Sequence, residues 1–177
     1  PQARYLASRG ITAVLADYRV ASRQQVRAVS CVEDAKSAVR WLRAHAAELR
    51  IDPQRICAAG GSAGGHIACC TALIEGLDAA GEDLSISSVP NALALFNPAV
   101  VLAPLEGVEM SAEETAKLQS LAARTGVDPV KISPAHHVRK LPQDLPTGRQ
   151  PRLCLQDAMR RILSLLSAPM RPFFSSS

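Results

Sequence analysis

The chain shows two patterns of hydrophobic residues, continuous apolar runs and apolar residues at helical spacing. Continuous apolar runs rich in small or β-branched residues are typical of buried strands in a parallel sheet. These runs lie at 11–16, 55–59 and 91–96. Apolar residues recur at helical spacing in neighbouring segments, at 2–9, 30–49 and 66–73. The alternation predicts an α/β fold in which helices cover both faces of a mainly parallel sheet.

Two capping boxes mark where helices are expected to begin. Ser30 with Glu33 predicts the start of the second helix, and Ser111 with Glu114 predicts a later helix that ends near Gly126. The side chains of such a pair bind backbone N–H groups that the first turn of a helix leaves unpaired.

The second helix is strongly amphipathic. Its predicted core-facing residues are Val32, Ala35, Val39, Leu42, Ala46 and Leu49. Its charged residues are predicted to lie away from that face, at Glu33, Lys36, Arg40 and Arg43. The same pattern places Asp34 in the first helical turn, where the helix dipole favours a carboxylate.

A glycine-rich heptapeptide separates a predicted strand from a predicted helix. Residues 60–66 read Gly-Gly-Ser-Ala-Gly-Gly-His, and within them 60–64 spell G-x-S-x-G. The strand at 55–59 precedes the motif and the helix at 66–73 follows it. This order is that of a nucleophile elbow, a sharp strand-to-helix turn that carries an exposed serine.

The elbow makes Ser62 the candidate nucleophile. A serine on so tight a turn takes strained backbone angles, and flanking glycines remove the Cβ clashes that would forbid it. The glycines given this role are Gly60, Gly61, Gly64 and Gly65. The backbone N–H of Ala63 is the candidate oxyanion donor, because it lies where the following helix concentrates partial positive charge. A phosphate-binding loop is disfavoured, since the motif lacks the Lys-Ser/Thr ending of a P-loop.

Composition narrows the classes to which the chain can belong. Of the 177 residues 47% are hydrophobic, which is enough for the core of one folded domain. The net charge of +4 is spread without a basic cluster, which argues against a nucleic-acid partner. No apolar run reaches the roughly 18 residues of a membrane span. The five cysteines form no C-x-x-C pair, and the sequence predicts no disulfide framework, no metal site and no cofactor.

Several short segments together resemble the α/β-hydrolase esterases and lipases, in particular the acetyl-esterase and feruloyl/acetyl-xylan-esterase-like branch near the hormone-sensitive-lipase group. The matching segments are Asp17-Tyr18-Arg19, Glu33-Asp34-Ala35, Trp41-Leu42, Asp52-Pro53, Arg55-Ile56, 60–66, Asn97-Pro98 and Ser133-Pro134. The resemblance implies a partial α/β-hydrolase fold and a small carboxylic ester as substrate. It implies that Ser62 attacks the ester carbonyl, that a histidine held by an acidic residue takes the serine proton, and that an acyl-enzyme forms.

Two other functions fit the same elbow. A serine peptidase of the prolyl-oligopeptidase type shares both the fold and the motif. A catalytically inactive binding or scaffold domain is the non-enzymatic alternative. Segment 105–125 is interpreted either as a lid over an acyl pocket or as an ordinary covering helix, and Asp17 with Arg19 is predicted to form an ion pair that holds neighbouring loops.

The rest of the catalytic machinery is not evident in the sequence. In this fold the acid and the histidine of the triad follow the serine, but no histidine occurs after His137. His45 and His66 are expected to have structural roles, and a catalytic role for His136 or His137 is disfavoured. The family's second oxyanion donor lies before the first helix, so the N-terminal strands and the C-terminal triad region are both expected to be lacking.

The C-terminal part differs in composition from the rest. From 141 to 177 there are five prolines, and five arginines accompany only two aspartates. We interpret 1–140 as a partial α/β-hydrolase domain and 141–177 as an atypical tail that is frameshifted or disordered. The chain is then expected to be a fragment of an esterase gene that is inactive or impaired alone, and its exposed sheet edges are expected to cause self-association.

Overall fold

The computed structural model describes residues 2–138, which form helices around a short parallel sheet. The α-helices are α1 (Gln2–Ser8), α2 (Ala21–Gln24), α3 (Ala28–Ala44), α4 (Ala46–Leu49), α5 (Ala63–Leu73) and α6 (Ala112–Ala122). The strands are β1 (Cys57–Gly61) and β2 (Ala92–Phe96), and two 3-10 turns follow at Pro129–Ile132 and Pro134–His137. The predictions for the tail at 141–177 lie outside the described residues.

The two strands confirm the predicted parallel sheet. They pair in register from Cys57 opposite Ala92 to Gly61 opposite Phe96. The connection between them contains α5, which packs against both strands. Seven consecutive residues of α5, from Gly65 to Thr71, are buried, so this helix lies in the core and not at its surface.

The core lies where α3 and α5 meet. A cluster of buried side chains joins these helices to the segments that follow β2. Its members are Val32, Cys70, Ile74, Leu102 and Ile132. Because the helix that follows Ser62 is fixed in this cluster, the position of the elbow depends on core packing.

The strand predicted at 11–16 is wrong for the described structure. This run forms no ladder, since the strand pairing within residues 2–138 is that of β1 with β2. Its apolar side chains are therefore exposed to solvent: Ile11 and Val14 are half exposed, and Leu15 is 85% exposed. A buried-strand pattern needs a neighbour on each side, and these residues have none among the described segments.

The capping box predicted at Ser30 is also wrong, because α3 begins two residues earlier. The N–H groups of Ala28 and Val29 donate to the carbonyl oxygens of Arg124 and Thr125, at 3.1 and 3.0 Å. A tertiary contact with the segment after α6 thus satisfies the first turn of the helix in place of a side chain. Nothing in the local sequence signals a partner so far along the chain.

The second predicted capping box is confirmed at the start of α6. The Ser111 hydroxyl accepts a hydrogen bond from the Glu114 N–H at 3.2 Å. In return the Glu114 carboxylate accepts from the Ser111 N–H at 2.8 Å. Both partners lie within four residues, which is why the sequence alone identifies this cap.

Lys36 and Arg40 are buried, which corrects the prediction that they lie off the buried face of α3. They are 3% and 7% exposed, and both bind the carboxylate of Asp78, at 3.2 and 2.7 Å. Lys36 Nζ also donates to the carbonyl oxygen of Gly76, and Arg40 Nε donates to that of Ile86 at 3.0 Å. The segment after α5 therefore covers this side of α3, and its Asp78 carboxylate is the counter-ion of both cations.

Replacing Asp78 with alanine is expected to destabilise the fold by about 3–5 kcal/mol, because it leaves two buried cations without their carboxylate. Asp83 offers a matched control, since it is an exposed aspartate of the same segment whose carboxylate accepts hydrogen bonds from Ser85 and forms no salt bridge with Lys36 or Arg40 in the described structure. Urea denaturation of both variants measures the difference. Equal midpoints for Asp78→Ala and Asp83→Ala would show that the buried pairs contribute little.

The ion pairs near the start of α3 differ from those predicted. Arg19 binds Asp34, with Nη2 at 2.7 Å from Oδ1, while Asp17 binds Arg23 at 3.0 Å. Because α3 begins at Ala28, Asp34 lies beyond its first turn. The partner of Asp34 is therefore the Arg19 side chain, and the predicted Asp17–Arg19 pair is wrong.

Two further findings concern residues 2–138. None of their helices is of sufficient length and apolarity to span a membrane. They also contain no cluster of three or more histidine, cysteine or acidic side chains arranged to hold a metal ion.

Candidate active site

Ser62 lies alone between the last residue of β1 and the first residue of α5. Its backbone angles are φ 51° and ψ −116°, in a region that side chains other than glycine rarely enter. The strand runs two residues further than predicted and the helix starts three residues earlier. The turn is consequently as short as it can be, and it leaves Ser62 exposed at the carboxyl end of β1.

The glycines around Ser62 differ in how strongly the structure requires them. A Cβ on Gly60 would lie 2.4 Å from backbone atoms of Gly64, and one on Gly65 would lie 2.9 Å from the Cβ of Pro98. A Cβ on Gly61 would meet nothing closer than 3.5 Å, and one on Gly64 would meet nothing within 4 Å. Sterically, the close approach of strand and helix depends on Gly60 and Gly65.

The last residue of β2 and the segment that follows it bind both backbone polar groups of Ser62. The Ser62 N–H donates to the Phe96 carbonyl at 3.0 Å, and the Ala99 N–H donates to the Ser62 carbonyl at 3.2 Å. The same Ser62 carbonyl accepts the His66 N–H at 3.0 Å, which is the first bond of α5. The strained serine is thus fixed from the neighbouring strand, a constraint that sequence reasoning missed because it depends on strand register.

Ala63 is the first residue of α5, and its N–H lies beside Ser62. The first N–H groups of a helix have no acceptor within the helix. They carry the positive end of the helix dipole, so an oxygen that gains negative charge next to Ser62 is stabilised there. Ala63 is exposed, which leaves this donor open to a ligand.

His66 is buried one turn after Ser62 and binds the core. Its Nε2–H donates to the carbonyl oxygen of Ile132 at 2.6 Å, and the Cys70 sulfur lies 3.3 Å from the same nitrogen. Burial lowers the pKa of the His66 imidazole, and the bond to Ile132 opposes this shift only in part. The ring joins α5 to the 3-10 turn at Pro129–Ile132.

The other histidines are also bonded to the backbone. The His45 ring donates to the Trp41 carbonyl at 2.8 Å. The His136 ring donates to the Pro104 carbonyl at 3.0 Å, and the His137 ring donates to the Val130 carbonyl at 2.9 Å. His136 Nδ1 accepts from the Ser133 hydroxyl at 2.8 Å. All four histidines of the chain lie within the described residues, and none of their rings binds Ser62.

Stability is expected to decrease as the pH falls below about 6.5, the pKa of histidine in an unfolded chain. The folded pKa of His66 is lower than this, so the unfolded state binds more protons and the free energy of unfolding drops. One proton contributes at most about 1.4 kcal/mol per pH unit. Urea denaturation at pH 7.5 and 5.5 measures the effect, and His66→Gln is expected to reduce it. An unchanged pH dependence in His66→Gln would contradict this origin.

Comparison with known proteins places this geometry in a family. The BD-FAE family model matches residues 2–138. Among curated proteins, a probable isoprenylcysteine alpha-carbonyl methylesterase from Oryza sativa subsp. japonica is 38% identical over 94 residues, which are 52% of this chain and 22% of that protein.

Solved esterase structures from the planctomycete Thermogutta terrifontis are similar over most of the described residues. Its esterase 2 phosphonylated by sarin is 48% identical with a TM-score of 0.71, and the match covers 78% of this chain and 50% of that one. The propionate-bound form is 52% identical with a TM-score of 0.68, over 78% and 49% of the two chains. The chain therefore spans about half the length of these solved relatives. With a parallel sheet, a strained serine elbow and a family match over residues 2–138, it belongs to the BD-FAE family of α/β-hydrolase esterases.

Proposed function

We propose that this chain carries the nucleophile and one oxyanion donor of a carboxylic ester hydrolase, with Ser62 as the nucleophile. The observation that supports this most is the backbone of Ser62, strained at φ 51° and exposed between a parallel strand and a buried helix. A protein rarely maintains such angles without a use for them. The related esterase 2 is phosphonylated by sarin, which is a reaction expected of an activated nucleophile.

The chemistry begins with attack of the Ser62 hydroxyl oxygen on the carbonyl carbon of a small ester. The Ala63 N–H stabilises the resulting oxyanion, and one such donor contributes about 3 kcal/mol in comparable sites. Collapse of this intermediate breaks the bond to the alcohol and leaves the acyl group on Ser62. Water then releases the acid and restores the serine.

This sequence of steps needs a general base to take the Ser62 proton. All four histidine rings are bonded to backbone carbonyls, as described above, and none binds Ser62. A positioned general base contributes roughly 10²–10⁴-fold to the rate of such reactions. We therefore propose that none of the four histidines serves as the base in this conformation and that the chain by itself hydrolyses esters slowly.

Hydrolysis of nitrophenyl acetate beside a dipeptide nitroanilide tests the ester assignment, with imidazole added as a soluble base. We expect turnover of the ester that exceeds that of Ser62→Ala, and no turnover of the amide. Faster amide hydrolysis would favour the serine peptidase. Equal rates for the wild type and Ser62→Ala on both substrates would favour the inactive scaffold.

We also propose that the chain self-associates through the apolar segment 11–16. Leu15 is 85% exposed there, and each of the two described strands has an edge without a ladder partner in residues 2–138. Light scattering after size exclusion is expected to give a mass that rises with protein concentration. Leu15→Lys should lower this mass, whereas Leu84→Lys, at an exposed leucine of a distant segment, should not. A monomer at every concentration would contradict the proposal.

A further inference from the structure

A second backbone outlier lies beside Ser62. Asn97 follows the last residue of β2 and has φ 45°, in the left-handed region. The register pairs Gly61 with Phe96, so Ser62 and Asn97 are the next residues of two adjacent parallel strands. Asn97 also precedes Pro98, whose ring further restricts the backbone of the residue before it. Such a conformation persists only where its surroundings impose it.

The left-handed turn at Asn97 has a structural consequence for the nucleophile. It separates the Phe96 carbonyl, which accepts the Ser62 N–H, from the Ala99 N–H, which donates to the Ser62 carbonyl. These two groups lie three residues apart and bind the same residue, and the chain bends at Asn97 between them. The backbone of Asn97 therefore helps to hold Ser62 in its strained conformation.

Asparagine enters the left-handed region more readily than most residues other than glycine, and unlike glycine it brings a polar side chain to this position. Asn97 is exposed, and within residues 2–138 its carboxamide makes no hydrogen bond. Its side chain is thus a free donor and acceptor at the carboxyl edge of the sheet, next to the nucleophile.

The asparagine at the other end of the same strand is a useful contrast. The Asn91 carboxamide oxygen accepts from the Ile56 N–H at 3.1 Å and from Arg43 Nη2 at 3.2 Å. The oxygen of that side chain thus joins the residue before β2 to the residue before β1 and to α3. The two asparagines flank one strand, and within residues 2–138 the carboxamide beside Ser62 differs in having neither its oxygen nor its nitrogen in a hydrogen bond.

We propose that the Asn97 carboxamide is a substrate-binding group, whose N–H donates to a carboxyl oxygen of the acyl group held at Ser62. The inference rests on the proposed function, because it requires an ester or its acid product at the elbow. A carboxamide is suited to this contact, since it can donate to an uncharged carbonyl and to the carboxylate of the product alike.

Propionate binding measured by ligand-observed NMR tests the proposal without requiring turnover. Glycine tolerates the left-handed backbone, and Asn97→Gly removes the whole side chain with its amide, so we expect about tenfold weaker binding, the usual effect of losing one hydrogen bond to a charged group. Gln25→Gly is the matched control, since Gln25 is an exposed residue at φ 56° away from the elbow. Its propionate affinity should equal that of the wild type.

The possible results separate this inference from the proposed function. Equal propionate affinity in Asn97→Gly and the wild type, or no binding to the wild type, would overturn the role of Asn97. Weaker binding to Asn97→Gly would support it even if Ser62 proved unreactive. Conversely, Ser62-dependent ester hydrolysis with unchanged propionate affinity in Asn97→Gly would leave the proposed function intact and refute the contact.

Discussion

Gly60→Ala is expected to destroy the elbow. The added Cβ would lie 2.4 Å from both the carbonyl carbon and the carbonyl oxygen of Gly64, and 2.8 Å from the nitrogen of Gly65. All three are backbone atoms, so no side-chain rotation relieves the overlap. Either β1 or α5 must move, and since α5 lies in the core we expect a loss of more than about 4 kcal/mol in the free energy of unfolding.

Gly64→Ala is the matched control for this variant. Its Cβ would meet no atom within 4 Å, and the position lies in the first turn of α5. Replacing a helical glycine by alanine commonly stabilises a helix by up to about 1 kcal/mol. The urea midpoint should therefore fall below that of the wild type for Gly60→Ala and rise above it for Gly64→Ala. Similar midpoints for Gly60→Ala and Gly64→Ala would mean that the close approach of strand and helix is not a real constraint.

The second large effect is expected from adding imidazole to the wild-type chain. Ser62 is exposed, and no histidine ring of this chain binds it, so a soluble base can reach its hydroxyl. Reaction of Ser62 with a fluorophosphonate is expected to be slow in buffer and to accelerate about tenfold or more with imidazole. This gain is below the roughly 10²–10⁴-fold of a positioned base because imidazole is not held in place.

Ser62→Ala should show no imidazole-dependent labelling. Ser22→Ala, at an exposed serine of α2, should behave as the wild type. Fast labelling of the wild type without imidazole would contradict the proposal that none of the four histidines serves as the base. It would point instead to a general base that rearranges towards Ser62 in solution.

Local signals explain which parts of this fold the sequence could predict. The elbow, the parallel strand pair and the Ser111 cap each depend on residues close together in the chain or on an apolar run. The start of α3 could not be predicted in this way, since its N–H groups bind the carbonyls of Arg124 and Thr125. The same holds for Lys36 and Arg40, whose burial depends on a carboxylate, that of Asp78, about forty residues away.

In the candidate site, too, local sequence predicts some features and tertiary contacts determine the others. The motif predicts Ser62 and Ala63, and in the structure both are exposed and Ser62 has a strained backbone between β1 and α5. The hydrogen bonds that Ser62 makes with Phe96 and Ala99 depend on the register of β1 with β2, and a short motif does not specify that register. In the sequence Asn97 is only part of an Asn-Pro pair, because its left-handed backbone depends on the packing of the folded chain.

The most direct test of the account is peptide mapping by mass spectrometry after fluorophosphonate treatment with increasing imidazole. We expect one adduct, on the peptide that contains Ser62, whose yield rises with imidazole and which is absent from Ser62→Ala. No adduct on Ser62 at any imidazole concentration would contradict the claim that this elbow carries the nucleophile. So would equal labelling of the wild type and Ser62→Ala.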